Sequence, residues 1–319
     1  MMRAILLIVL LLTAFPAQGR GLRMAVEFTD HAACAYIALQ KGWFQQEGLD
    51  IEAYETYVTG MALAAALARG DTQVAYLCLV PALNLYANAR VPVKIVAGTH
   101  RYGYGLVADP KKIKTPRDLG KPGLRIGCVR EGGAVDVMLR RTMEVYGLTE
   151  EILKRVRRMP PPKQLLALRA GQLDAAFLPE HWISMAEEMG FRVILRAQDV
   201  WPEMQGSVLV VKEELLQKNP QLVRTLVRVS QRATAWIGEH PEEAARIMAR
   251  VLSVADGKTT LGGPPGLTPR VISRSMARMQ YTTAIDPQVV QGTIDYMVHL
   301  GYIRKSFRAR EILDLRFLR

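Results

Sequence analysis

Cysteine is scarce in this chain, with three residues, Cys34, Cys78 and Cys128, among 319. An odd number leaves at least one thiol unpaired within a single chain, and the spacings match no metal motif. A disulfide-dense scaffold is thereby excluded. Also missing are the nucleophile elbow, the P-loop, a zinc-ligand pair and a dinucleotide fingerprint, which removes the commonest enzymatic signatures. Acidic residues are the charge in short supply, 30 Asp and Glu against 42 Lys and Arg, for a net charge of +12. A basic balance can serve nucleic acid, anionic membranes or acidic ligands. Here the positive charge is spread along the chain, with small clusters at Arg155, Arg157 and Arg158 and at Arg304, Lys305, Arg308 and Arg310. No zinc-finger spacing or aromatic–basic signature of an RNA-binding sheet accompanies it, so nucleic acid is not an expected partner. The charge reads as solvated surface. Half of the residues are hydrophobic, an ordinary globular composition, and the length suits two modest domains.

What the N-terminus does contain is specific. Arg3 precedes an apolar run from Ala4 to Leu12, followed by Pro16-Ala17-Gln18-Gly19. A charged start, a short apolar core and small residues before a cut after Gly19 describe a cleaved export signal over 1–19. The run is too short to span a bilayer, which takes about 20 residues. The first cysteine, Cys34, lies well inside the mature chain, so no lipid-anchor cysteine follows the cut. A soluble periplasmic form is expected.

Strand and helix patterns then alternate: strand 22–28, helix 32–40, strand 49–54, helix 60–69, strand 73–79, helix 81–89 and strand 92–99. Thr59 is placed to cap the helix at 60–69 and Gly70 to end it. The pattern restarts with strand 124–129, helix 132–146, strand 155–159, helix 161–170 and strand 173–178. Residues 66–77 and 167–178 match at most key positions, as do Leu22-Arg23-Met24 with Leu124-Arg125-Ile126 and Gly48-Leu49 with Gly147-Leu148. Three matches in one order imply two lobes of one α/β architecture, each with parallel-type pairing. Isolated strands at 102–108 and 206–211 carry the chain out and back, a hinge between the lobes. Lobe one is then 20–105 with 207–319, and lobe two 106–206. Beyond 211 the chain is helical, at 219–238, 241–251, 269–279 and 287–300.

These residues resemble the periplasmic binding proteins of the nitrate, sulfonate, taurine and thiamine-precursor group, the NMT1/THI5-like proteins. The resemblance lies in Tyr36-Ile37-Ala38-Leu39-Gln40-Lys41-Gly42-Trp43-Phe44, in Glu47-Gly48-Leu49-Asp50-Ile51 and in Leu67-Ala68-Arg69-Gly70 before a strand. It continues in Thr115-Pro116-Arg117-Asp118-Leu119 and in the stretch from Ala167 to Ala175. It implies the type II two-lobed fold and capture of a small organic or anionic molecule for the permease of an ABC importer. It also implies a monomer that meets the membrane only through that transporter, without catalytic residues, cofactor or metal. An enzyme on the same scaffold, of the pyrimidine-synthase kind, and a sensor for a membrane receptor are the alternatives. The first lacks its cysteine–histidine-rich segment here.

Ligands of open α/β sheets bind beyond the carboxyl ends of strands, near helix N-termini. Six loops follow from that rule: 28–31, 57–60, 77–80, 99–101, 129–134 and 178–182. The candidate ligand-binding residues are Thr29, Asp30, His31, Thr59, Cys78, His100, Arg101, Arg130, Gly132, Gly133, Glu180 and Trp182. Several carry a plainer role as well. Thr59 and Asp30 suit caps, and Arg101 suits a solvated surface. Gly132-Gly133 is either a tight turn or an anion-facing helix start beside Arg130. Trp182 and Glu180 would offer a ring face and an acceptor to a heteroaromatic or amine-bearing ligand. The cysteines are small buried residues, cleft thiols, a soft-metal site or, for Cys34 and Cys78, a disulfide.

Overall fold

The computed structural model describes residues 21–253 and 267–318, so the leader expected at 1–19 lies outside the described residues. In chain order the strands are β1 (Leu22–Glu27), β2 (Ile51–Tyr57), β3 (Val74–Cys78), β4 (Val93–Gly98), β5 (His100–Tyr102) and β6 (Tyr104–Ala108). They continue as β7 (Ile126–Cys128), β8 (Val156–Arg158), β9 (Ala175–Pro179), β10 (Arg192–Arg196), β11 (Ser207–Lys212) and β12 (Met279–Tyr281). One sheet has the order β2-β1-β3-β11-β4 and the other β10-β6-β9-β7-β8. Each restart of the sequence pattern thus builds its own sheet. The internal match is physical: Gly70 and Gly171 both adopt positive φ, at 83° and 65°, between a helix and the fully buried strands β3 and β9.

Both sheets are mixed. Strands joined through helices pair in parallel, β1 with β2 and β3, β7 with β8 and β9. The strands that follow a crossing run the other way, β6 against β9 and β11 against β3 and β4. The crossing expected at 102–108 divides at Gly103, whose φ of 82° turns β5 away from β6. The two crossings touch, through the bridge Arg101↔Gln205 and bonds from Tyr102 N to Met204 O (3.2 Å) and Gly206 N to His100 O (3.1 Å).

The long C-terminal helix Pro220–Glu239 opens with Asn219, whose side chain accepts from Leu222 N at 3.1 Å, and with Pro at its first position. It packs on helix Ala33–Gln40, and Ser230 Oγ lies 2.8 Å from the buried Tyr76 hydroxyl of β3. The helix expected at 269–279 stops at Met276, and Met279–Tyr281 instead pairs with β5. The unpaired edge of β5 outweighs helical periodicity there. The short strand β10 was also not signalled. No helix among the described residues is long and apolar enough to cross a membrane.

One apolar core runs from Ala25 and Leu77 of the first sheet and Leu63 of helix Gly60–Arg69 through Leu106, Ile126 and Phe177 of the second sheet. Phe177 is fully buried in β9, the central strand of its sheet. Phe177→Ala should lower stability by about 3–5 kcal/mol in urea unfolding. A loss near zero would show that β9 is not a core strand.

Candidate ligand-binding cleft

Between the sheets lies a narrow cleft, about 450 Å³ counting the solvent open to it. Its first wall comes from lobe one: Glu27 at the end of β1, Thr59 and Gly60 at the start of helix Gly60–Arg69, Cys78 at the end of β3, and Pro81. The facing wall is Val129, Arg130, Gly133, Ala134, Pro161 and Pro179. Tyr104, just past the crossing, forms the floor between them. The internal match places equivalent positions in both walls, Gly60 with Pro161 and Cys78 with Pro179.

The walls differ in chemistry. Glu27 Oε1 accepts from Gly60 N at 2.9 Å, and its Oε2 accepts from Cys78 N at 3.1 Å and from the Cys78 thiol at 3.0 Å. The Tyr104 hydroxyl donates to Cys78 Sγ at 3.0 Å, so the floor is one chain from Tyr104 through Cys78 to Glu27. Burial raises the Glu27 carboxyl above its ordinary range, against the bonds from Cys78 and Gly60 that lower it. Burial and then the neighbouring Glu27 push the Cys78 thiol well up. The opposite wall is largely apolar apart from exposed Arg130, which makes no ion pair among the described residues.

Hydrogen bonds across the mouth hold the lobes together. Asn84 Nδ2 of lobe one donates to Gly132 O at 3.0 Å, and the Tyr302 hydroxyl donates to Asp136 Oδ2 at 2.6 Å. Asp136 also takes Gly132 N at 3.0 Å and pairs with Arg158. With Gly132 at φ 75° and Gly133 N bonded to Arg130 O at 3.2 Å, these two amides are engaged in a tight turn.

A second cluster sits behind the cleft at the crossing, fully buried. Gly103 O receives Glu180 N at 2.8 Å and lies 2.8 Å from His31 Nε2, so that ring nitrogen donates. Asp30 Oδ1 is 3.5 Å from His181 Nδ1, its Oδ2 accepts from Ser275 Oγ, and its carbonyl accepts the Tyr281 hydroxyl at 3.0 Å. The His31 and His100 rings are 4.3 Å apart. Burial pushes His31 down to about 4, opposed by Asp30 and the Gly103 carbonyl, and pushes His100 well below its ordinary value. Burial pushes Glu180 up to about 8, with Arg278 Nη1 at 3.7 Å pulling the other way. Burial would raise Asp30 as well, but His181, His31 and Ser275 hold it below its ordinary value.

The twelve candidates therefore divide. Thr59, Cys78, Arg130 and Gly133 line the cleft, and Gly132 adjoins it. Thr59 also caps its helix, accepting from Ala62 N at 3.3 Å. Asp30, His31, His100 and Glu180 belong to the buried crossing cluster, with Thr29 accepting from His31 N at 3.4 Å. Trp182 does not line the cleft. The helix Trp182–Glu188 begins directly after the β9 turn and carries the ring inward, 4.3 Å from His181 and 6.5 Å from Phe28. Arg101 points outward to Glu203 at 2.9 Å. All three cysteines are buried free thiols, so Cys34 and Cys78 form no bridge, and no cluster of three metal-ligating side chains occurs among the described residues.

Residues 17–253 match the family model described as NMT1-like. The chain belongs to the NMT1-like family. Among its relatives, the taurine-binding periplasmic protein of Escherichia coli is 24% identical over 80% of each chain. The nitrate import ATP-binding protein NrtC of Synechocystis is 24% identical over 67% of this chain and 34% of that protein. The alkanesulfonate-binding protein SsuA from Xanthomonas axonopodis pv. citri, solved with MOPS bound, has a TM-score of 0.78 at 18% identity, covering 94% of this chain and all of that one. The type II two-lobed periplasmic-binding-protein fold is thereby established for this NMT1-like protein.

Glu27 and Tyr104 are polar cleft residues that loop-by-loop reading overlooked. A carboxylate closing the apolar strand Leu-Arg-Met-Ala-Val-Glu was the available signal for the first.

The crossing cluster of the NMT1-like chain gives a pH test. His31 is about 4 in the folded protein against an unfolded value of 6.5, so the unfolded chain takes up the proton first as pH falls. Its contribution, on the order of 3 kcal/mol, is present above pH 6.5 and lost towards pH 4. Glu180 acts oppositely, since its raised value favours the fold at low pH and loses that advantage as pH rises from 4.5 to about 8. The difference between wild type and His31→Gln isolates the first effect. In urea titrations it should shrink from pH 7 to pH 4, and a constant difference would show that His31 titrates normally.

Proposed function

We propose that this NMT1-like protein is exported to the periplasm, captures a small organic or anionic molecule between its lobes and delivers it to the permease of an ABC importer. The carrying observation is the cleft itself. Its two walls are built from strand ends and helix starts of separate sheets that are connected by two paired crossings. Lobe one (20–105 and 207–319) and lobe two (106–206) would close on the ligand about Gly103 and Gly206, making the Asn84–Gly132 and Tyr302–Asp136 bonds in the closed state. Delivery to an ABC importer accords with the relative that carries a matching region inside an import ATP-binding protein. Binding without chemistry accords with Cys78, whose raised thiol stays protonated and is a poor nucleophile.

A thermal-shift screen over sulfonates, nitrate, pyrimidines, flavins, aromatic carboxylates and thiophilic metals tests this role. A true ligand at 100 times its Kd adds about 2.7 kcal/mol of stability, enough to raise Tm by several degrees. Asn84→Ala should weaken that ligand's affinity several-fold by loosening the closed state. If the folded protein responds to nothing in the screen, the capture role is wrong.

A further inference from the structure

We infer that Glu27 is the ligand's anchor on the lobe-one wall, and that the cleft takes a molecule presenting a nitrogen N–H donor there: an amine, an amidine or an amino-substituted heterocycle. This rests on the capture role proposed above and names the chemistry of the same site.

The start of helix Gly60–Arg69 would ordinarily suit an anionic ligand group, because its amides point into the cleft. In this chain the carboxyl of Glu27 already occupies that place. It takes Gly60 N and Cys78 N, and the Cys78 thiol as well. An incoming sulfonate or nitrate would find those donors engaged and would face a carboxyl instead. Glu27 itself is more than nine-tenths buried and has no cation beside it among the described residues. A buried carboxyl without a cationic partner is costly unless something completes it. A carboxylate offers about four acceptor positions, and three are filled here.

The surrounding groups extend the same pattern. The Tyr104 hydroxyl spends its proton on Cys78 Sγ, so its oxygen acts as an acceptor, with the Ser207 hydroxyl beside it. Glu27 and Tyr104 both line the cleft, and Gly60 beside them keeps it from narrowing further. A Cβ at that position would lie 2.9 Å from Pro81 Cγ and 3.2 Å from Glu27 Oε2. The floor is therefore rich in acceptors and poor in free donors. The apolar facing wall of Val129, Pro161 and Pro179 suits the carbon or ring body of the same molecule.

The test is calorimetric titration of the full mature protein and Glu27→Gln with benzamidine, 4-aminopyrimidine and ethylenediamine, against benzoate, ethanesulfonate and nitrate. Expected is binding by at least one nitrogen probe, none by the anions, and at least a tenfold loss in Glu27→Gln. Because that variant can perturb folding, wild type is also titrated at pH 5 in buffers of different ionisation enthalpy. A cationic probe seating on Glu27 should release protons, because burial raises this carboxyl and a cation beside it lowers it again. Anion binding that Glu27→Gln leaves unchanged overturns the assignment while leaving capture intact. So does a ligand from the broader screen that binds without proton release and without dependence on Glu27. Silence of every compound in both screens removes capture and the anchor together.

Discussion

Two lobes meet at one carbonyl oxygen. Gly103 O is shared by the His31 ring of the first lobe and the Glu180 amide of the second, and the surrounding groups are fully buried. The geometry is restrictive. At φ 82° a side chain would already be strained, and a Cβ would lie 2.7 Å from His31 Nε2 and 2.9 Å from Met279 Sδ. Only glycine fits. The turn at Gly103 separates β5 from β6 and delivers Tyr104 to the cleft floor, where its hydroxyl meets Cys78 and, through it, Glu27. The floor chemistry depends on the crossing because adjacent residues belong to both.

Much of the fold was legible because it is written locally. Thr59, the apolar run and Gly70 specify the helix Gly60–Arg69 without help from any partner. The same helix–glycine–strand unit recurs at Pro161–Arg169, Gly171 and β9. The restart therefore announced two sheets before any pairing was known. The end of helix Pro269–Met276 was not legible, because Met279–Tyr281 becomes a strand only through the edge that β5 offers.

The site was legible to the level of loops and no further. All six loops reach either the cleft or the crossing, yet a loop position does not say which side of the crossing a side chain will face. Asp30 and Glu180 turn away from the cleft because Ser275, Arg278 and Tyr281, far along the chain, supply their partners. Glu27 was harder to read for a different reason: a carboxylate closing an apolar strand shows in the sequence, but its burial against Gly60 and Cys78 is a tertiary event. Net charge was no guide either. A chain with an excess of +12 places a carboxyl on the floor of its cleft and leaves one exposed arginine on the facing wall.

The bonds from Asn84 to Gly132 and from Tyr302 to Asp136 span the mouth rather than the floor. Neither touches the space where a captured molecule would lie, so they add little to its recognition. What they govern is time. In the proposed capture role a bound molecule would leave as these contacts part, which would make dwell time a property of the rim and selectivity a property of the floor. The two can then vary independently, one by residues that never meet the cargo.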